Sequence, residues 1–291
     1  VYRVSSPAAG TKPSYRFWMH GAHEDVLDNQ RLLSNDPVSG TLIFDDRLAF
    51  YETSIRFSGS PFARQKWTES YRLRMPKGRP LWGRFGKFNL ENHQGDGALD
   101  GRERIANYLL RQSSGHIRVP YLNQWLVSFQ VNERVVLQPR EHVELPSREY
   151  LERWYGDDDD GAFFEMDDRH TINDSGFQES FREARVTYPP YGSKENGENR
   201  EYYRYFFNPR GWNPFDDFDD LITLCRVLDP AATADVLFDD LIAETMDVEE
   251  FLRVFAIRLN TDDHDSWGAR RGKNYYFYRP SVDGRWALLP W

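Results

Sequence analysis

The densest set of chemically capable side chains in the chain is TDDHDSWGARRGKN, from Thr261 to Asn274. It holds Asp262, Asp263, His264 and Asp265, then Arg270, Arg271, Lys273 and Asn274. A carboxylate can position or deprotonate a hydroxyl and bind a hard cation, and a carboxamide oxygen is a neutral ligand for the same cation. A loop Asp directly after a helix, followed by an Asn and a hairpin, has the layout of a phosphoryl-transfer catalytic loop. In such loops the Asp orients the attacking hydroxyl and the Asn holds a metal. The hairpin that follows is expected to deliver a second, metal-binding Asp at its end. A charged, solvated surface loop is the competing reading. For His264, contact with a phosphate or metal competes with a loop histidine that does little.

Other motifs carry less. GDDDDG, Gly156 to Gly161, invites a calcium reading, but counting back from Gly161 puts a glycine where an EF-hand needs its first carboxylate. A solvated acidic turn is the better account. The seven histidines show no HExxH spacing, and neither a nucleophile elbow nor a Walker loop occurs. Cys225 is the single cysteine, so no intramolecular disulfide and no cysteine-based zinc cluster can form, and no disulfide-linked partner is implied. It lies in the apolar run Leu221 to Leu228 and reads as an inert buried thiol.

Hydrophobic residues make up 40% and charged residues 29% of the 291, ordinary values for a globular protein with a real core. The aromatic share of 15% argues against disorder. No run approaches the ~20 apolar residues of a membrane span. The net charge of -9 argues against nucleic acid or an anionic membrane as main partner, since both require a basic face. Val1 opens the chain without Met, basic n-region or apolar h-region, as in a mature form or an excised piece.

Several elements must position the constellation. GTLIFDDRLAFYETSIRF, Gly40 to Phe57, predicts a hairpin turning at Asp45-Asp46. SYRLRMPKG predicts a strand with Tyr71, Leu73 and Met75 on one face and Arg72 and Arg74 on the other. LDGRERIANYLLRQSSG predicts a helix capped by Asp100, ended by Gly115, and striped by Ile105, Tyr108, Leu109 and Gln112. QWLVSFQVN and RVVLQPREHVE read as a strand pair, SREYLERWYG as a short helix. FFEMDDRHTIND reads as an acidic loop and edge strand, and PYGSKENGENR as a polar loop. MDVEEFLRVFAIRL predicts a helix striped by Val248, Phe251, Leu252, Phe255 and Leu259, with Asp247 and Glu250 as a capping box. The fold class is α+β.

Read together, these segments resemble the spore coat protein H (CotH) family of atypical secreted protein kinases. EEFLRVFAIRLNTDDHDSWGARRGKNYYFYRPSVDGRWALLPW is similar to that family's helix, catalytic Asp, Tyr-rich strand and closing Pro-Trp strand. IRFSGSPFARQKWTESYRLRM resembles its early Gly-Asn-Ser turn and Ser-Tyr-Arg strand. GKFNLENHQGDGALDGRERIANYLLRQ resembles its Asn-rich segment and Arg-Glu helix, and NERVVLQPREHVELPSREYLERWYG its strand and hinge. The order of motifs covers roughly Ser14 to Trp291.

The resemblance implies a two-lobed, atypical protein-kinase-like fold. An extension over 1–13 would precede a mainly β N-lobe over 14–145 with one αC-like helix, then a mainly helical C-lobe over 146–291, incomplete in this chain. It implies ATP with Mg²⁺ or Mn²⁺ as cofactors, a protein substrate phosphorylated on Ser or Thr, and an extracellular, cell-surface or spore-coat location. Asp265 falls on the catalytic Asp, with Asp262 and Asp263 as alternatives if the loop is shifted. Asn274 falls on the metal or phosphate contact. Arg74, or Lys66, would pair with the nucleotide phosphates, Glu103 would partner that cation, and Glu141 and His142 would edge the adenine.

The chain departs from the pattern in three places. FSGSP lacks the family's Arg before Gly and its Ser pair, and Arg74 replaces the usual Lys, a rigid fork in place of a point charge. The metal-binding Asp is expected directly after Trp291, so the sequence as it stands is expected to be poorly active. A non-catalytic surface-adhesion or coat-assembly module on the same fold is the alternative.

Overall fold

The computed structural model describes the chain apart from residues 1–11, 32, 60–63, 65–68, 93–101, 116, 167–168, 173–177, 183–199, 212–215, 263–266, 268–273 and 291. The expected N-terminal extension, the Asp100 cap and the polar loop from Pro189 therefore lie, wholly or almost wholly, outside the described residues. The chain divides into two compact units, 1–100 with 122–149, and 101–121 with 150–291. The helix expected in the first lobe thus groups with the second unit.

The first unit is built from β1 (Ser14–Trp18), α1 (Gly21–Asn29), β2 (Val38–Phe44), β3 (Leu48–Ser58), β4 (Ser70–Arg74), β5 (Lys87–Glu91), β6 (Gln124–Val131) and β7 (Arg134–Glu144). Its seven strands form a closed barrel in the order β1-β2-β3-β4-β5-β7-β6, a closure that an unpaired kinase-type lobe sheet would lack. Every neighbour pair is antiparallel except the closing one. There β1 runs parallel to β6, with Tyr15 against Phe129 and Phe17 against Val131. The β2–β3 turn forms as its sequence predicts: Asp45 and Asp46 take φ of 49° and 53°, a region aspartate tolerates, and the Arg47 N–H donates to the Phe44 carbonyl at 2.9 Å. The same turn anchors β1, because the Ser14 N–H donates to the Asp45 carboxylate at 2.7 Å. β4 also alternates as read, with Tyr71, Leu73 and Met75 buried and Arg74 exposed. Tyr15, Phe17, Leu42, Ile55, Leu73, Phe88 and Leu90 fill the interior, each burial contributing roughly 1.5–3 kcal/mol.

The second unit contains α2 (Arg102–Ser113), α3 (Arg148–Tyr155, its first two residues falling in the other unit), β8 (Ala162–Met166), β9 (Arg169–Ile172), β10 (Gln178–Arg182), α4 (Arg200–Phe206), β11 (Phe207–Pro209), α5 (Asp219–Leu228), α6 (Asp235–Thr245), α7 (Val248–Asn260), β12 (Tyr275–Arg279) and β13 (Ala287–Pro290). Its main sheet runs β11-β8-β12-β13, and β9 pairs with β10. FFEM, read as an edge strand, is an inner one, paired with β11 on one side and β12 on the other. The α2 stripe is also rotated from its expected position. Ile105 and Tyr108 are 54% and 61% exposed, whereas Ala106 and Leu110 are buried. The small Ala106 and the i+4 spacing form the packed face, and the larger apolar residues lie outside it. On α7, Phe251 and Val254 are buried while Leu252 and Leu259 are exposed. Cys225 is fully buried and burial pushes its thiol pKa far up, in keeping with an inert side chain. Among the described residues no helix is long and apolar enough to cross a membrane.

One core residue of the barrel is unexpected. His142 has no exposed surface; its ring stacks on Trp125 at 3.7 Å and on Phe88 at 4.3 Å, and Nδ1 shares a 3.0 Å hydrogen bond with the Tyr15 hydroxyl. Burial holds its pKa well below the ordinary histidine value. A depressed folded pKa means the unfolded chain takes the proton first, so stability is complete above the unfolded value of about 6.5 and falls as pH drops below it. The barrel should therefore lose stability between about pH 6.5 and 5, by up to roughly 1.4 kcal/mol per pH unit. Thermal melts of wild type and His142→Phe across this range check it: the variant should show a flatter slope, and parallel slopes would contradict the account.

Candidate active site

The helix α7 begins at Asp247, whose carboxylate accepts the Glu250 N–H at 3.2 Å, the first half of the expected capping box. It ends where the Thr261 hydroxyl turns back on the Ile257 carbonyl at 3.0 Å and the Asp262 N–H reaches the Leu259 carbonyl at 3.2 Å. Asp262 then takes a left-handed φ of 54°, stopping the helix as a C-terminal cap residue does. Asp263 and Asp265 fall outside the described residues, but the chain on both sides of them is fixed.

The downstream anchor is Trp267, two residues past Asp265. Its ring packs edge-on against Phe255 at 5.1 Å and Phe277 at 5.4 Å, and its carbonyl accepts the Tyr275 hydroxyl at 2.8 Å. The Tyr275 ring lies 4.8 Å below the guanidinium of Arg258, a largely buried residue of α7, in a cation–π contact. Arg258, Trp267 and Tyr275 thus tie helix, loop and strand together. None of the three stands out from the sequence as a positioning residue. The available signal was Trp267 itself, the one large apolar side chain in a charged loop.

β12 and β13 form the expected hairpin. Tyr275 pairs with Pro290 and Tyr278 with Ala287, so the end of β13 lies beside the start of β12, where Asn274 stands at φ 64°. Asp262 and Asn274 therefore bracket the same loop, one on each flank. Both are oxygen donors of the kind that suits Mg²⁺ or Mn²⁺, so the donor chemistry fits a hard cation. Among the described residues no cluster of three or more His, Cys, Asp and Glu side chains could hold a metal by itself. Glu103 is exposed in the first turn of α2, in the same unit.

The remaining predicted residues belong to the other unit. Arg74 is exposed on β4 and pairs in register with Ser54 and Lys87, so its cross-strand neighbour on β5 is a second cation. Lys66 lies outside the described residues. Glu141 and His142 are 2% and 0% exposed, and β7 is paired there on both sides, with Glu91 and Leu90 of β5 and with Leu126 and Trp125 of β6. As consecutive residues of β7 they face opposite sides of the sheet, His142 into the barrel interior against Phe88 and Trp125 and Glu141 to the other face. The acidic run is a structured turn: the Asp158 carboxylate accepts from the N–H and hydroxyl of Ser281, both at 2.7 Å. Slight burial raises its pKa, but these hydrogen bonds outweigh that and hold it below the ordinary value.

Residues 55–291 match the family described as CotH kinase protein, a span that includes α7, its loop, β12 and β13. The chain belongs to this CotH kinase family. Among curated proteins none matches it. The family match begins inside β3, so β1, β2 and the first half of β3, which the resemblance had included from Ser14, lie outside it.

The left-handed backbone at Asn274 separates two properties of that residue. Asn274→Gly should leave stability within about 0.5 kcal/mol, since glycine accepts this φ freely, whereas Asn274→Val should cost about 1–3 kcal/mol because a β-branched residue resists it. Denaturant titration of the two variants tests this, and equal costs would contradict it.

Proposed function

We propose that this CotH-family protein transfers the γ-phosphate of ATP to Ser or Thr hydroxyls of surface or extracellular proteins, using Mg²⁺ or Mn²⁺. The observation that carries the reading is the family match, which extends through the Asp262–Asn274 constellation and the hairpin behind it. Asp265 orients the acceptor hydroxyl and takes its proton, Asp262 and Asp263 being the alternatives. Asn274 supplies a neutral oxygen toward the cation, and Arg74 or Lys66 offsets phosphate charge, with Glu103 as the acidic residue of that set. A bound divalent ion neutralises the charge that develops on the transferring phosphoryl group. Glu141 and His142 complete the set as the residues that edge the adenine.

Incubation of a polypeptide extended past Trp291 with γ-labelled ATP and Mg²⁺ or Mn²⁺ tests the reading. Asp265→Asn should lower phosphate incorporation roughly 10²–10⁴-fold with an unchanged melting temperature. Equal incorporation in both proteins, or none in either, would remove the mechanism and favour the non-catalytic adhesion or coat-assembly reading.

A further inference from the structure

The start of α7 and the approach to β13 are joined by a short parallel ladder. Trp286 N–H donates to the Thr245 carbonyl at 2.8 Å, and Asp247 N–H donates to the Trp286 carbonyl at 2.9 Å. Continued by the ordinary parallel pattern, the next bond would run from Leu288 N–H to the Asp247 carbonyl. That carbonyl is already taken, because it accepts the Phe251 N–H at 3.0 Å as the first bond of the helix. Leu288 is fully buried, so an unmatched N–H there would carry a desolvation cost. The gap is filled by a side chain: Glu250 Oε1 accepts the Leu288 N–H at 3.1 Å.

The capping box read from the sequence is therefore only half closed. Asp247 holds the Glu250 N–H, but the Glu250 carboxyl does not return to the Asp247 N–H, which belongs to Trp286. It is diverted across to the strand. Building on the kinase reading above, we propose that Glu250 is a positioning residue: its carboxyl replaces a missing main-chain acceptor, fixes β13 against α7, and so holds the two arms of the candidate site in register. One arm runs from the C-terminal end of α7 through Asp262, and the other is the β12–β13 hairpin beside Asn274.

The role needs an acceptor and no charge. Glu250 has no exposed surface, and burial raises its pKa well above the ordinary carboxylate value. The neighbouring Asp247 carboxylate adds to the rise, while the Arg118 guanidinium and the Leu288 N–H oppose it. Arg118 is itself held over the Tyr155 ring at 4.2 Å. A glutamine should then serve where a leucine cannot.

The test is amide exchange at Leu288 in the protein alone, in wild type, Glu250→Gln and Glu250→Leu. Leu288 should be protected in wild type and within roughly threefold of that in Glu250→Gln, and should exchange roughly tenfold faster or more in Glu250→Leu while the β8–β12 amides stay unchanged. Phosphate transfer should fall in kcat in Glu250→Leu and recover in Glu250→Gln, with the same pH profile as wild type near neutrality. Rapid exchange of Leu288 in wild type, loss of its protection in Glu250→Gln, or equal exchange in both variants would overturn the proposal. If Glu250→Leu fails to fold, wild type and Glu250→Gln still decide it. Should the exchange pattern hold in a protein that transfers no phosphate, the kinase reading fails and the Glu250 clamp stands.

Discussion

A buried phenol is costly unless its hydroxyl finds a partner, and along β12 the partners found shape much of what surrounds the candidate site. β12 is the third strand of a four-stranded sheet, so Tyr275, Tyr276, Phe277 and Tyr278 are all buried. Each tyrosine then reaches to a different segment. Tyr275 holds the loop at the Trp267 carbonyl at 2.8 Å. Tyr276 donates to Glu165 of β8 at 2.8 Å, and Glu165 also pairs with Arg210. Tyr278 donates to the Asp158 carbonyl and accepts the Gly161 N–H at 3.1 Å, which pins the acidic turn. One strand thus fixes two loops and the neighbouring β8, and the candidate constellation lies in one of those loops.

The first unit meets a different constraint. A barrel has no free edge, so each strand must satisfy its backbone on both sides, and the last pair to do so joins β1 to β6 across a large sequence separation. Asn132, at the tip of the β6–β7 hairpin, reinforces that closure: its carboxamide oxygen accepts the Met19 N–H at 2.8 Å, and its own N–H donates to the Phe17 carbonyl at 2.8 Å. Inside, a neutral imidazole takes the place of an aliphatic side chain between two aromatic rings and shares a hydrogen bond with the Tyr15 hydroxyl.

Local chemistry was legible where local rules decide. The Asp45-Asp46 turn, the alternation of β4, the Asp247 cap and the terminal hairpin each follow from residues within a few positions of one another. What the sequence did not reveal depends on partners far along the chain. The packed face of α2 falls on Ala106 and Leu110 because it is the face that closes against its own unit, and size alone ranks Ile105 and Tyr108 above them. The inner place of β8 and the closure of the barrel are pairings without periodicity. Of the frame around the candidate site, the cap that starts α7 and the hairpin after Asn274 follow from local residues, while the core position of His142 depends on Phe88 and Trp125, which lie far from it in the chain.

The parallel β1–β6 pairing also sets where this domain can be cut. Family resemblance begins at Ile55, in the middle of β3, yet the ladder that completes the barrel begins at Ser14. A polypeptide started at the family boundary would lack two strands and half of a third. It would expose the bare margins of β4 and β6, the kind of open rim that recruits other chains into aggregates. Hydrogen-bond closure thus asks for Ser14 to Ser58 to be kept together with the rest of the barrel, beyond the span that sequence similarity marks.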